Sequence, residues 1–140
     1  MTIEITPALP ADLETLTRLD GHISPRVLAR KIAQGEVLTA RQDGQITGWL
    51  RWGYFWDEIP FMNLLYVLEP YRRQGTAARL AAAWEAQMQA QGARQVLTST
   101  LSNEDAQHLY RKWGYQDCGA LLLPGEPLEI LLRKDLPAPA

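Results

Sequence analysis

The chain has 140 residues, a net charge of -2 and nearly half its residues apolar, as one globular domain with a proper core requires. That balance argues against bulk nucleic-acid binding or a basic membrane surface, and no apolar run approaches the length of a membrane span. The single Cys118 excludes an internal disulfide and a cysteine-rich metal cluster; with Met1-Thr2-Ile3-Glu4 lacking signal-peptide character, a reducing, cytoplasmic setting is expected. Ile3-Glu4-Ile5 alternates as a short strand does, and Pro7 and Pro10 break it. Leu13, Leu16 and Leu19 predict a helix closed by Gly21. Ser24-Pro25 caps and opens a second helix through Val27, Leu28 and Ile32 to Gly35.

Glu36–Arg41 and Gln45–Tyr54 read as strands joined by Asp43-Gly44, a strong hairpin signal. In the second, Ile46, Gly48, Leu50, Trp52 and Tyr54 share a face, with Thr47, Trp49 and Arg51 opposite. Phe55–Pro60 turns the chain into a central strand over Phe61–Leu68, whose run Leu64-Leu65-Tyr66-Val67-Leu68 suits burial on both faces. Glu69-Pro70 stops it. Leu80, Trp84 and Met88, with Ala77 and Ala81, then predict a long helix closed by Gly92. Gln95–Thr100 is the next strand, followed by a helix from Asn103 with an inner stripe of Ala106, Leu109, Tyr110 and Trp113, closed by Gly114. Tyr115–Leu123 and Leu128–Arg133 finish as strands around Pro124-Gly125-Glu126-Pro127. Residues 1–136 read as one domain and 137–140 as a frayed tail.

The turn before the long helix, Tyr71-Arg72-Arg73-Gln74-Gly75-Thr76-Ala77, is odd on local physics. A helix N-terminus carries unpaired N–H groups and about half a positive charge, so acidic residues belong there. This one receives Arg72 and Arg73 instead, each at a cost of about 0.3–1 kcal/mol. The cost disappears if an anion sits on the N–H groups between the arginines, and Gly75 would let a phosphate approach the backbone. A solvated loop with two surface arginines is the other account of the same residues.

Two motifs then resemble a known family. Arg72-Arg73-Gln74-Gly75-Thr76-Ala77 is similar to the Arg/Gln-x-x-Gly-x-Gly/Ala signature of the GNAT superfamily of acyl-CoA-dependent N-acyltransferases, and it follows a strand as it does there. Asn103, Ala106, Leu109, Tyr110, Lys112 and Gly114-Tyr115 resemble the family's Asn-x-x-Ala-x-x-Leu-Tyr-x-Lys-x-Gly-Phe pattern. The match covers Phe61 to Cys118; the earlier elements agree in order. The resemblance implies an α/β (α+β) fold: a mixed, mainly antiparallel sheet of about seven strands with about four helices. Strands near Leu65 and Thr98 would splay into a notch for acetyl-CoA. Backbone N–H groups of Arg73, Gln74, Gly75, Thr76, Ala77 and Ala78 would hold the pyrophosphate, with Arg72 beside them, and Leu65, Tyr66 and Val67 would pair with the pantetheine arm. A Walker loop or a dinucleotide fingerprint would need glycine spacings that are absent.

What this implies for chemistry is acetyl transfer to the primary amine of a small molecule or peptide, by direct attack in a ternary complex. A backbone N–H near Val67 would meet the oxyanion. Tyr110 would be the general acid for the leaving thiolate, because relatives place a tyrosine there; on helix pattern alone it is a core aromatic. Asn103 reads both as a cap, shared with Ser102, and as a cofactor contact. Two strand positions where relatives often carry glutamate read Phe61 and Thr98, and neither accepts a proton. Asp57 and Glu58 are the nearest carboxylates in sequence to the expected acceptor mouth; Glu126 is a further candidate, and solvent is another.

Trp49, Trp52, Tyr54, Phe55 and Trp56 are either core or dimer packing, or a pocket for an apolar or aromatic amine with acids at its rim. Arg51 reads as a strand-surface residue, with an acceptor carboxylate as its other account, and Cys118 as a buried one; neither His22 nor His108 has neighbours that suggest a metal. The expected partners exclude nucleic acid and membrane, and dimerisation, common among relatives, leaves a homodimer open. The competing reading is an acyl-CoA-binding or interaction module on the same fold, without catalysis.

Overall fold

The computed structural model describes residues 2–138. Its elements are β1 (Glu4–Pro7), α1 (Leu13–Leu19), α2 (Pro25–Ala33), β2 (Val37–Gln42), β3 (Gln45–Phe55), β4 (Ile59–Val67), α3 (Thr76–Ala90), β5 (Gln95–Leu101), α4 (Ala106–Lys112), β6 (Gln116–Leu121) and β7 (Glu129–Asp135). The strands hydrogen-bond in the order β1-β2-β3-β4-β5-β7-β6. β4 and β5 run parallel, whereas β1–β2, β2–β3, β5–β7 and β6–β7 are antiparallel. This is the expected mixed, mainly antiparallel α/β class. Two compact units divide the chain: Met1–Trp52 with Leu64–Trp84, and Gly53–Asn63 with Glu85–Ala140.

In the first unit, Pro7 closes β1 opposite Leu38 rather than breaking it earlier, because an edge strand tolerates a missing N–H. Ser24 Oγ accepts from Val27 N at 3.3 Å and so caps α2. Asp43 and Gly44 both have positive φ, 50° and 78°, as the tight hairpin between β2 and β3 demands. The β2–β3 register then shifts: Arg41 faces Ile46 while Ala40 faces Gly48. This bulge changes the phase of β3, so the predicted face needs correcting. Ile46 packs with Trp49, Leu16, Leu28, Ile32 and Val37, and the half-buried Leu64 and Leu68 lie against that cluster. Gly48 serves a close approach: a Cβ there would sit 2.9 Å from the Tyr66 carbonyl oxygen and 3.4 Å from Leu80. Residues Ile46 to Trp52 are buried without interruption, which includes Arg51.

In the second unit, β5 pairs with β7 along its whole length, from Gln95↔Asp135 to Leu101↔Glu129. Its ladder with β4 has two pairs, Phe61↔Leu97 and Met62↔Thr98, although β4 runs on to Val67 and β5 to Leu101. α4 starts at Ala106, three residues later than predicted, because Glu104 reaches back to the backbone. Its Oε1 accepts from Leu101 N, at the end of β5, at 3.0 Å and holds residues 102–105 as a turn. Leu109 is exposed rather than part of an inner stripe. Every residue of the edge strand β6 is exposed, which corrects the expectation for Cys118. Within the predicted tail, the Pro137 carbonyl accepts from Gln89 Nε2 at 2.7 Å; Pro139 and Ala140 lie outside the described residues.

Candidate active site

Between β4 and α3 the backbone twice enters the left-handed region, at Arg73 (φ 66°) and Gly75 (φ 80°). For arginine that conformation costs about 1–2 kcal/mol. The Gly75 carbonyl accepts from Arg79 N at 3.0 Å and so begins α3, and a residue without a side chain offers its first N–H groups no cap. No acidic residue stands in that first turn. A Cβ built on Gly75 would meet nothing within 4 Å, so the space over the helix start is open. Thr76 is buried, while Arg73, Gln74, Gly75, Ala78 and Arg79 are exposed. The turn therefore combines exposed positive charge, a helix start without an acid of its own and room over Gly75. Arg79, one helical turn in, is a cation that the signature did not single out.

Arg72 lies elsewhere than the spacing suggested. Its Nε donates to the Val67 carbonyl at 2.8 Å, and its guanidinium lies over the Tyr66 ring, 5.3 Å from the centroid. Tyr66 in turn packs on Trp49 at 5.3 Å. Arg72 thus fixes the end of β4, and Arg73 is left as the cation at the turn. Along the same strand Leu65 is half-buried, Tyr66 exposed and Val67 buried. Gln42 Nε2 donates to Gln74 Oε1 at 2.8 Å, a contact with no signal in the sequence because the residues lie 32 positions apart.

In the second unit, Tyr110 is 6 % exposed, with its ring centroid 5.7 Å from that of Tyr115 and 5.8 Å from that of Trp113. Burial pushes its phenol up to about 12; the Thr98 hydroxyl beside it pulls the other way, and the Glu104 charge adds to the rise. The shift favours the protonated phenol, which suits a proton donor. Thr98 is buried, and its Oγ1 donates to the Met62 carbonyl at 3.0 Å, closing the short β4–β5 ladder.

The family model described as "Acetyltransferase (GNAT) family" matches residues 9–115, most of the chain. The chain belongs to the GNAT acetyltransferase family. A GNAT acetyltransferase from Bacillus cereus ATCC 10987 is similar at 23% identity, over 96% of this chain and 98% of the other, with a TM-score of 0.82. PaiA N-acetyltransferase from Thermoplasma acidophilum, solved with coenzyme A, is 18% identical over 97% and 100%, with a TM-score of 0.83. Ard1 from Thermoplasma volcanium is 16% identical over 97% and 99%, with a TM-score of 0.85. Likeness at these identities concerns the fold. No curated protein matches the chain.

The remaining site expectations for this GNAT chain divide between buried and exposed. Asn103 is exposed in the turn before α4 and does not cap it; the cap is Asp105, without a side-chain bond. Asp57 and Glu58 are exposed on the β3–β4 turn, with Trp56 and Asp57 both at positive φ. Of the aromatic group, Trp49 and Trp52 are core, whereas Tyr54, Phe55 and Trp56 are exposed, Trp56 by 77%. Glu126 is exposed in the β6–β7 loop. Among the described residues no cluster of three potential metal ligands occurs, and no helix is long and apolar enough to cross a membrane.

Sequence reasoning missed one further cluster. Asp20, at the end of α1, is 2% exposed and pairs with Arg51 Nε at 2.7 Å. It also accepts from Trp49 Nε1 at 3.1 Å and from His22 N at 3.1 Å. Burial alone would raise the Asp20 carboxyl, but Arg51, the His22 N–H and Trp49 outweigh it and hold the group below the usual carboxylate range. Arg51 is therefore a buried structural cation, a correction to its reading as a surface residue.

Proposed function

We propose that this chain transfers an acetyl group from acetyl-CoA to a primary amine of a small molecule or peptide, by direct attack in a ternary complex. The observation that carries the reading is the turn before α3: two left-handed residues, a helix start with no acid of its own, and open space over Gly75. Family membership supports it, as does coenzyme A bound to PaiA N-acetyltransferase. In this reading the N–H groups of Gly75, Thr76, Ala77 and Ala78, with Gln74 and Arg73, hold the diphosphate. Arg72 acts by fixing the end of β4, the Leu65, Tyr66 and Val67 backbone carries the pantetheine arm, and Asn103 touches the cofactor. Bound acetyl-CoA supplies a carbonyl activated as a thioester. A backbone N–H near Val67 stabilises developing negative charge. Tyr110 Oη holds the proton that the leaving sulfur takes. Asp57 and Glu58, exposed on the β3–β4 turn, are the candidate bases for the amine proton, with solvent as the alternative. Residues 1–136 form the acetyltransferase domain, in the cytoplasmic setting that the lone Cys118 suggests.

The test is thiol release from acetyl-CoA with a panel of amines and peptide N-termini. With a competent acceptor, Tyr110→Phe should lower kcat by about 10²–10⁴-fold, the usual worth of a positioned acid, with little change in CoA affinity. Binding of CoA without thiol release for any acceptor would instead support the non-catalytic module. A Tyr110→Phe enzyme as fast as wild type would remove Tyr110 as the acid.

A further inference from the structure

We infer that Gln42 is a positioning residue for the diphosphate turn, holding it in its binding conformation through Gln74; the inference rests on that turn being the CoA site. Gln74 lies between the two left-handed residues, Arg73 and Gly75. A turn of that shape is locally unfavourable for Arg73 and has to be held from outside. The hold is the hydrogen bond from Gln42 Nε2 to Gln74 Oε1, at 2.8 Å. Gln42 suits the task because it is rigid: it ends β2, pairs with Gln45 across the Asp43-Gly44 hairpin and is 3% exposed.

Packing does not explain a glutamine there. Burying that side chain gives up rotamer freedom and leaves Gln42 Oε1 without a hydrogen-bond partner among the described residues. Thr76 Oγ1, two residues beyond Gln74 and also buried, is left in the same state. An apolar residue at position 42 would fill the space without that cost. What the amide adds is its bond to Gln74, which draws that side chain back onto the hairpin and fixes the backbone on either side. A preorganised turn meets the diphosphate without first having to order itself.

Gln42→Met keeps length and removes the donor, so it separates the bond from the packing. With the full chain, calorimetry should show the Kd for CoA rising about three- to tenfold, the worth of one neutral hydrogen bond. KM for acetyl-CoA should rise by a similar factor while kcat holds. Gln74→Met should do the same, and the double variant should bind no more weakly than either single one. Gln42→Asn, whose amide falls one methylene short, should resemble Gln42→Met and guards against a misfolded variant. Unchanged CoA affinity in both Gln42 variants, additive losses in the double variant, or a fall in kcat and thermal stability at constant Kd would overturn the role of Gln42 while the CoA site stands. Wild-type protein that binds no CoA would overturn both.

Discussion

Asp20 at the C-terminal end of α1, and Arg72 with Arg73 ahead of the N-terminal end of α3, put charge where a helix dipole disfavours it. The first case is closed within the protein. Arg51, the Trp49 indole and the His22 N–H surround the Asp20 carboxylate, and 2% of the residue stays exposed. The second is half open: Arg72, though exposed, turns its Nε to the Val67 carbonyl, and Arg73 and Arg79 are exposed beside a first turn that has no acidic residue. A charge with a permanent partner belongs to the architecture; one left facing open space is, in the proposed reading, the one that meets a ligand.

Removing the permanent partner should have the larger effect. Asp20→Ala strands the Arg51 guanidinium in the core and should destabilise the fold by about 3–5 kcal/mol, read by urea unfolding. A loss below about 1 kcal/mol, as for an exposed pair, would show that the cluster does not hold α1. Because the folded Asp20 carboxyl lies below its unfolded value of about 3.9, its contribution is complete above that pH. It is lost as the pH falls through the folded value. Asp20→Asn should therefore flatten the acid limb of the stability curve and leave the alkaline limb unchanged.

The asymmetry between the two helix ends also explains what the sequence disclosed. The Asp43-Gly44 hairpin, the Ser24-Pro25 cap and the two GNAT signatures are local patterns, legible because the physics that sets them acts over a few residues. The Asp20–Arg51 and Gln42–Gln74 pairs join residues 31 and 32 positions apart, and no periodicity marks them. The face of Ile46 is not legible from alternation, because one bulged residue inverts a period of two. Cys118 was expected inside because strands usually bury one face, but β6 lies at an edge with both faces exposed. At the turn before α3, charge alone pointed to an anion, yet the departure of Arg72 toward Val67 depends on where β4 ends in space.

Supplying α3 with an acid of its own would make its start resemble the closed case. Gly75→Glu should weaken CoA binding by about 2–3 kcal/mol, roughly 100-fold, through a carboxylate a few ångströms from the diphosphate. Any residue other than glycine is strained at φ 80°, so Gly75→Ala measures that part separately, at about 1 kcal/mol of stability. CoA affinity in Gly75→Glu equal to that of Gly75→Ala would mean that the anion does not sit there.

The smallest effect is also the most discriminating, because stability and binding should move in opposite directions. Arg73 adopts φ 66°, at a cost that glycine would not incur. Against that relief stands the greater freedom of glycine in the unfolded chain, so Arg73→Gly should gain about 0.5 kcal/mol of stability. The same change removes one exposed cation from the open helix start, and CoA should bind about two- to fivefold more weakly at low salt. The difference should shrink as ionic strength rises, because screening acts on a solvent-exposed charge. A variant that loses stability and affinity together would make Arg73 a structural residue like Asp20. One that gains stability and binds CoA as wild type does would leave the anion to the N–H groups and Arg79 alone.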